Sequence, residues 1–203
     1  MTKIRIILFA ALCCAQVSVA QDWAFEYWHE GKIVLVSGDT LVGLVKYDFQ
    51  QDLVQFNDQK KNIEALSPRK ILFFEIFDNT VSRYRNFFVL PFAATGNYRT
   101  PILFELLEEG KMTLLAREAM EYRTFSSMYY YGSYTRLVLV YKYYLMAEDG
   151  DIKEFQGKKN DLLSMMGKRS EDVDRYIKAN RLKIEEPYDF AKIVSYYNSF
   201  FGT

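Results

Sequence analysis

The chain has 203 residues, 26 basic and 26 acidic, with a formal net charge of zero and a single histidine. That balance excludes a general electrostatic grip on nucleic acid, which needs a basic face. One histidine, with cysteines only at positions 13 and 14, excludes a zinc centre built from His and Cys in the body of the chain.

The first twenty residues read as a leader. Lys3 and Arg5 make a basic start, Ile6 to Ala15 an apolar run, and Ser18-Val19-Ala20 a small-residue cleavage site. This is the order of a secretory signal peptide. The run is too short to span a bilayer, which takes about 20 apolar residues. Neither cysteine has the preceding residues a lipidation site requires. Cleavage before Gln21 leaves 183 residues without cysteine and with 24 basic and 26 acidic side chains. A chain of that length can bury roughly 70% of its unfolded surface as one domain without disulfide staples. The expected location is outside the cytoplasm, in the periplasm or at the cell surface.

The body contains 16 Tyr and 16 Phe against 10 Gly and 4 Pro. Aromatic side chains suit a pleated, half-buried surface, so the composition leans to β structure. Residues 32–36 and 40–47 flank Ser37-Gly38-Asp39 as a hairpin. Strands follow at 53–56, 62–66 and 71–77, with one or two more in 81–90. Gly43, inside a strand pattern, marks a bulge or a close backbone approach. Residues 91–101 read as a loop and Tyr122 to Tyr134 as irregular. Two hairpins turn at Glu109-Gly110 and Asp149-Gly150, the second with positive φ expected at both central residues. After Gly157 the period changes. Leu162, Leu163 and Met166 predict a short helix, Ser170 a cap for a second, and Pro187 the start of a third. The third carries Phe190, Ile193, Val194 and Tyr197 at i, i+3, i+4 and i+7. The fold predicted is mainly β, an antiparallel meander, sandwich or partly open barrel of eight to eleven strands by their spacing. A cluster of two or three α-helices closes the chain. The domain plan is leader 1–20, β-rich domain 21–157 and helical tail 158–203 packed on it.

Two stretches carry a resemblance. Gly38-Asp39-Thr40-Leu41-Val42-Gly43-Leu44-Val45-Lys46-Tyr47-Asp48 resembles a GDTLxGxVxYD segment near the start of exported proteins of unknown function from Bacteroidota-type bacteria. Tyr176 to Asn180 and Asp189 to Asn198 resemble the tail of the same group. The resemblance implies export and envelope residence, and no activity.

Catalytic signals are sparse. His29 reads as a partly exposed residue before a Glu30-Gly31 turn. No serine sits in a Gly-x-Ser-x-Gly elbow, and no glycine-rich phosphate loop is present. Glu148-Asp149-Gly150-Asp151 lacks calcium-loop spacing. Glu105 with Glu108, and Glu75 inside an apolar strand, leave a carboxylate hydrolase as one alternative. A β-rich pocket for a lipid or other apolar ligand is another. We expect no cofactor, no metal and no catalytic residue. The leading reading is a non-enzymatic envelope protein that binds or scaffolds a partner, either another envelope protein or a glycan, without itself spanning the membrane. Its contact surface is placed on Tyr129, Tyr130, Tyr131 and Tyr134, because tyrosine gives much contact area at low rotamer cost.

Overall fold

A computed structural model of the chain describes residues 23–59, 62–93, 96, 98–127 and 132–202. The leader, and Tyr129 to Tyr131, lie outside the described residues. Ten strands run in chain order: β1 (His29–Leu35), β2 (Thr40–Asp48), β3 (Leu53–Asn57), β4 (Ile63–Leu66), β5 (Ile71–Asp78), β6 (Arg83–Phe92), β7 (Thr100–Glu108), β8 (Thr113–Ser127), β9 (Gly132–Met146) and β10 (Ile152–Phe155). They form one open sheet in the order β10-β9-β8-β7-β6-β5-β1-β2-β3-β4. Every pair is antiparallel. The tail folds as α1 (Lys159–Met165), α2 (Ser170–Asn180) and α3 (Pro187–Asn198). This is the predicted class, a β meander with three terminal helices.

The hairpin turns follow from their glycines. Leu35 N–H donates to Asp39 O at 2.9 Å and Gly38 N–H to Leu35 O at 3.0 Å. Ala147 and Gly150 repeat the pattern with Asp151 and Ala147 at 3.0 and 2.9 Å. Gly38 and Gly150 sit at φ 92° and 79°. Each loop is a β-turn followed by a left-handed glycine bulge, which keeps the strand twist with one positive φ. Asp149 is not at positive φ, so the two-residue primed turn expected there is replaced by this longer one. Gly43 meets the expected close approach: a Cβ there would stand 2.6 Å from Asn57 O.

The sheet is strongly curled. β2 and β8 are five steps apart, about 24 Å in a flat sheet at 4.8 Å per step. Yet the Tyr47 hydroxyl on β2 donates to Glu118 on β8 at 3.1 Å. Arg117 on β8 also reaches the β2–β3 turn, donating to Asp52 Oδ1 at 2.8 Å and Phe49 O at 2.8 Å. The short helical turn at Pro68–Lys70, linking β4 to β5, contacts β7. The concave face of β1–β7 encloses Ile33, Val45, Tyr47, Phe74, Ile76 and Phe87. Beyond it, the same face of β8 and β9 is covered by the helices. Leu114, Ala116, Tyr143 and Leu145 pack there against Leu162, Val173, Phe190 and Ile193. A smaller core of Phe104, Leu115 and Tyr144 lies on the opposite face.

α3 is clamped by one side chain. Asn198 accepts from Met112 N–H at 2.9 Å and donates to Met112 O at 2.9 Å. It also donates to Glu109 O at 3.3 Å, and a Cβ on Gly110 would stand 2.5 Å from its amide nitrogen. Pro187 opens α3 as predicted. Ser170 is the first residue of α2 rather than its cap, and Arg169 holds the capping position without a side-chain bond. Residues 91–101 are not all loop: Pro91 and Phe92 end β6, Thr100 and Pro101 begin β7, and Pro91 faces Pro101 across the ladder. No described helix is long and apolar enough to cross a membrane.

Candidate functional site

The fold brings two features together at the middle of the sheet: a sealed charge cluster on the concave face, and a ribbon that leaves the sheet just beyond it.

The cluster centres on Arg85 in β6. Its Nε and Nη2 grip Glu105 of β7 at 2.8 and 2.7 Å, the bidentate geometry that suits a guanidinium. Nη2 also donates to Glu118 of β8 at 2.6 Å. Nη1 donates to the Tyr47 hydroxyl at 2.7 Å and to Asp78 at 3.0 Å. These five bonds use all five guanidinium N–H groups. Arg85, Glu105, Glu118, Asp78 and Tyr47 are all buried, none more than 5% exposed. Burial raises the Glu118 carboxyl above its ordinary range despite the pull of Arg85. Burial also opposes the Arg85 charge, but Glu105 beside it outweighs this and keeps the guanidinium protonated. Asp78 would be raised by burial too, yet its bonds from Thr80 and Arg85 hold it below the usual range. Burial pushes Tyr47 and Tyr141 well up, so both stay neutral phenols.

Chemically this cluster is a lock. The bonding capacity of Arg85 is spent wholly within the cluster, and Asp78 is further held by Thr80. The cavity beside Glu118, walled by Phe25, Phe49 and Met120, measures about 10 Å³, room for a water and not for a sugar or an acyl chain. Glu105, read from sequence as half of a possible acid pair, is therefore bound in the Arg85 grip. Glu108 is half-buried as the last residue of that strand and forms no part of the cluster. Glu75 points from the other face of β5 to Lys32 at 3.1 Å. His29 departs from expectation: it is 2% exposed, inside β1, with Nε2 2.7 Å from Ala24 O. Glu30-Gly31 is strand and not turn, because Gly31 lies so close to β5 that a Cβ would stand 2.3 Å from Glu75 O.

The ribbon is the second feature. β8 and β9 are each fifteen residues long and pair throughout, from Thr113↔Met146 to Ser127↔Gly132. β7 pairs with β8 only as far as Ala116, and β10 with β9 only as far as Tyr143. The eleven rungs from Arg117↔Lys142 outward thus form a two-stranded arm. It extends roughly 35 Å at strand rise. Residues Tyr122 to Tyr134, read from sequence as irregular, belong to it wherever they are described. Tyr122 is 78% exposed and Tyr134 52%.

The arm has two different faces, fixed by its register. Tyr122 with Leu137, and Thr124 with Thr135, lie on the face that continues the concave side. Arg123 with Arg136, and Phe125 with Tyr134, lie on the other. There Tyr134 stacks on Phe125 at 5.7 Å, and the Arg136 guanidinium lies 4.6 Å over the Phe125 ring. Of the four tyrosines expected to meet a partner, Tyr134 is therefore placed on an exposed cationic-aromatic face. Tyr129, Tyr130 and Tyr131, between Ser127 and Gly132 in the sequence, lie outside the described residues. Sequence reading missed Tyr122, Arg123, Phe125 and Arg136, whose signal is visible only once the register is known.

At the base of the arm a cleft of about 470 Å³ opens between β9, the segment after β10 and the α2–α3 connection. Leu139, Tyr141, Tyr143 and Phe155 line it, with Lys158 and Glu185 at its rim. The Tyr143 hydroxyl is committed to Glu185 O at 2.9 Å.

Comparison with protein-family models, with curated proteins and with solved structures finds no match for this chain.

Proposed function

We propose that the chain is an exported, non-enzymatic envelope protein that holds a partner through the β8–β9 ribbon. The observation that carries this reading is the ribbon itself. A two-stranded hairpin is marginal on its own in water. This one runs eleven rungs past the strands that flank it; its first rungs pack into the core through Glu118 and Val140, and beyond them it exposes Tyr122 and Tyr134. It also sets Arg123 directly opposite Arg136 on one face. Arg123 is paired there with Glu121 at 3.7 Å and Arg136 lies over the Phe125 ring, so the face offers a guanidinium stacked on an aromatic ring, which suits an aromatic or anionic group of a partner. The basic, apolar and small-residue order of the first twenty residues supports export.

The test uses the mature chain and a variant carrying Tyr122→Ser, Phe125→Ser and Tyr134→Ser as baits on envelope fractions. The variant is expected to melt like the parent and to lose the captured partner. Retention of the same partner by the folded variant overturns the ribbon as the contact surface. Intact-mass analysis of the protein from its host is expected to give a chain beginning at Gln21. A product that retains Cys13 overturns the export reading as stated.

A further inference from the structure

We infer that the outer edge of β9, at the base of the ribbon, is a strand acceptor. Its occupant is an extended segment of a partner protein, apolar in the middle and acidic at both ends, added antiparallel beside residues 136–142 in line with β10. The inference rests on the ribbon being a binding element and names how it binds.

Four observations converge on this edge. First, β9 has fifteen residues, while β10 covers only Tyr143 to Met146. From Gly132 to Lys142 no described strand pairs with the outer side of β9. A row of outward N–H and C=O groups is best matched by another main chain.

Second, the edge is guarded only at its ends, by Arg136 and Lys142. Natural edges are blunted with charge, proline or bulges. Leu137-Val138-Leu139-Val140-Tyr141 contains none of the three, and its register with β8 is unbroken.

Third, the 470 Å³ cleft opens at this edge, so there is room beside Leu139 and Tyr141 for incoming side chains. Those on the concave side meet Leu139, Tyr141 and Phe155, which favours apolar ones there, with Lys158 and Glu185 at the rim.

Fourth, the residues of β9 that face the other way include Arg136 and Lys142, both exposed. Val138 and Val140 lie between them on that face, so incoming residues on that side are matched by acids only at the two ends, opposite Arg136 and Lys142. The same two cations disfavour a second copy as occupant. Symmetric pairing of two such edges about Leu139 would set Arg136 of one against Lys142 of the other.

The probe is a displayed library of ten-residue peptides, selected on the mature chain. Enriched members are expected to carry an apolar middle flanked by acidic residues and to slow hydrogen exchange of the β9 amides between 137 and 142. Methylating alternate peptide nitrogens removes their donors and is expected to weaken binding by about tenfold or more. Arg136→Glu with Lys142→Glu is expected to shift selection from acidic to basic peptides. The inference is overturned if no peptide is enriched. It is also overturned if bound peptides leave those amides exchanging freely, if N-methylated peptides bind as well, or if the edge is protected by concentration-dependent dimerisation. Failure here while the Ser-substituted ribbon still loses its envelope partner removes strand addition and leaves the ribbon reading standing. Peptide capture at the edge with envelope capture unaffected by those substitutions does the reverse.

Discussion

Arg85 illustrates how one side chain can hold five strands. It ties β6 to Glu105 of β7, Glu118 of β8, Asp78 at the end of β5 and Tyr47 of β2. A buried ion pair is weak evidence of net stability, but breaking one from a single side is costly, about 3–5 kcal/mol. Arg85→Met leaves three buried carboxylates without their donor, and we expect a loss in that range, read as a lower urea midpoint. Arg85→Lys is expected to recover only part, since three rotatable donors cannot replace a planar fork of five. A loss below 1 kcal/mol for the Met variant would show that the carboxylates find other partners. Asn198→Ala is the corresponding test at the helix clamp. It strips both partners from the main chain of Met112, and an unsatisfied buried group costs about 1–3 kcal/mol. The lock was only partly legible. Glu105 sits between Phe104 and Leu106 in a strand whose two faces are both apolar, so its burial could have been inferred. Its partners could not, because Tyr47 and Glu118 are 71 residues apart and meet only through the curl of the sheet. Glu75 has the same apolar neighbours and the opposite fate, paired outside with Lys32. A local pattern cannot separate these two glutamates, because strand order decides which face is enclosed.

At the scale of elements, the tail and the ribbon make opposite predictions. α3 buries Phe190, Ile193 and Val194 completely against β8 and β9. A helix of twelve residues is marginal alone, so this burial is what holds it. Truncation after Gly157 uncovers Leu114, Ala116, Tyr143 and Leu145, and we expect aggregation or loss of a cooperative melt. A truncated chain that melts like the parent would show the helices to be dispensable. The ribbon should behave otherwise. Replacing residues 121–138 by Asn-Gly joins Met120 to Leu139 through a primed two-residue turn. Beyond that rung Tyr122 to Thr124 and Ser133 to Leu137 are exposed. The shortened chain is expected to melt within a few degrees of the parent, as surface changes do. A collapse of the transition would make the arm part of the core. The contrast also explains what the sequence could reveal. α3 was readable because one face is apolar and the other polar, at helical spacing. The hairpin turns were readable from their glycines. The outer ribbon was not, because a strand exposed on both faces has no buried side to impose alternation, and Ser, Thr and Tyr then look like loop.

At the scale of the whole molecule, the charge cluster lies at the seam between the core enclosed by β1–β7 and the core roofed by the helices. Its titration should therefore appear in global stability, with a sign set by two carboxylates that shift in opposite directions. The Glu118 carboxyl is raised by burial, with Arg85, Glu105, Tyr47 and Tyr141 around it. Above the ordinary Glu value of about 4.3, the unfolded chain has released this proton while the folded chain still holds it. The folded state then binds more protons, so stability falls as pH rises through that window. Below the ordinary value both states are protonated and the contribution is fully present. Asp78, held low by Thr80 and Arg85, acts in reverse. Its contribution is present above the ordinary Asp value of about 3.9 and is lost as pH falls towards its folded value. The two together favour a stability maximum between the ordinary Asp and Glu values of about 3.9 and 4.3. Glu118→Gln removes the first effect and keeps an oxygen to accept from Arg85 and Tyr47. Urea midpoints of parent and variant measured from pH 4 to pH 8 should diverge as pH rises, with the parent losing stability relative to Gln. Other titrating groups are common to both chains and cancel in the difference. Parallel profiles would mean that Glu118 is ionised in the fold across the whole range, and that the Arg85 grip outweighs the cost of burying it.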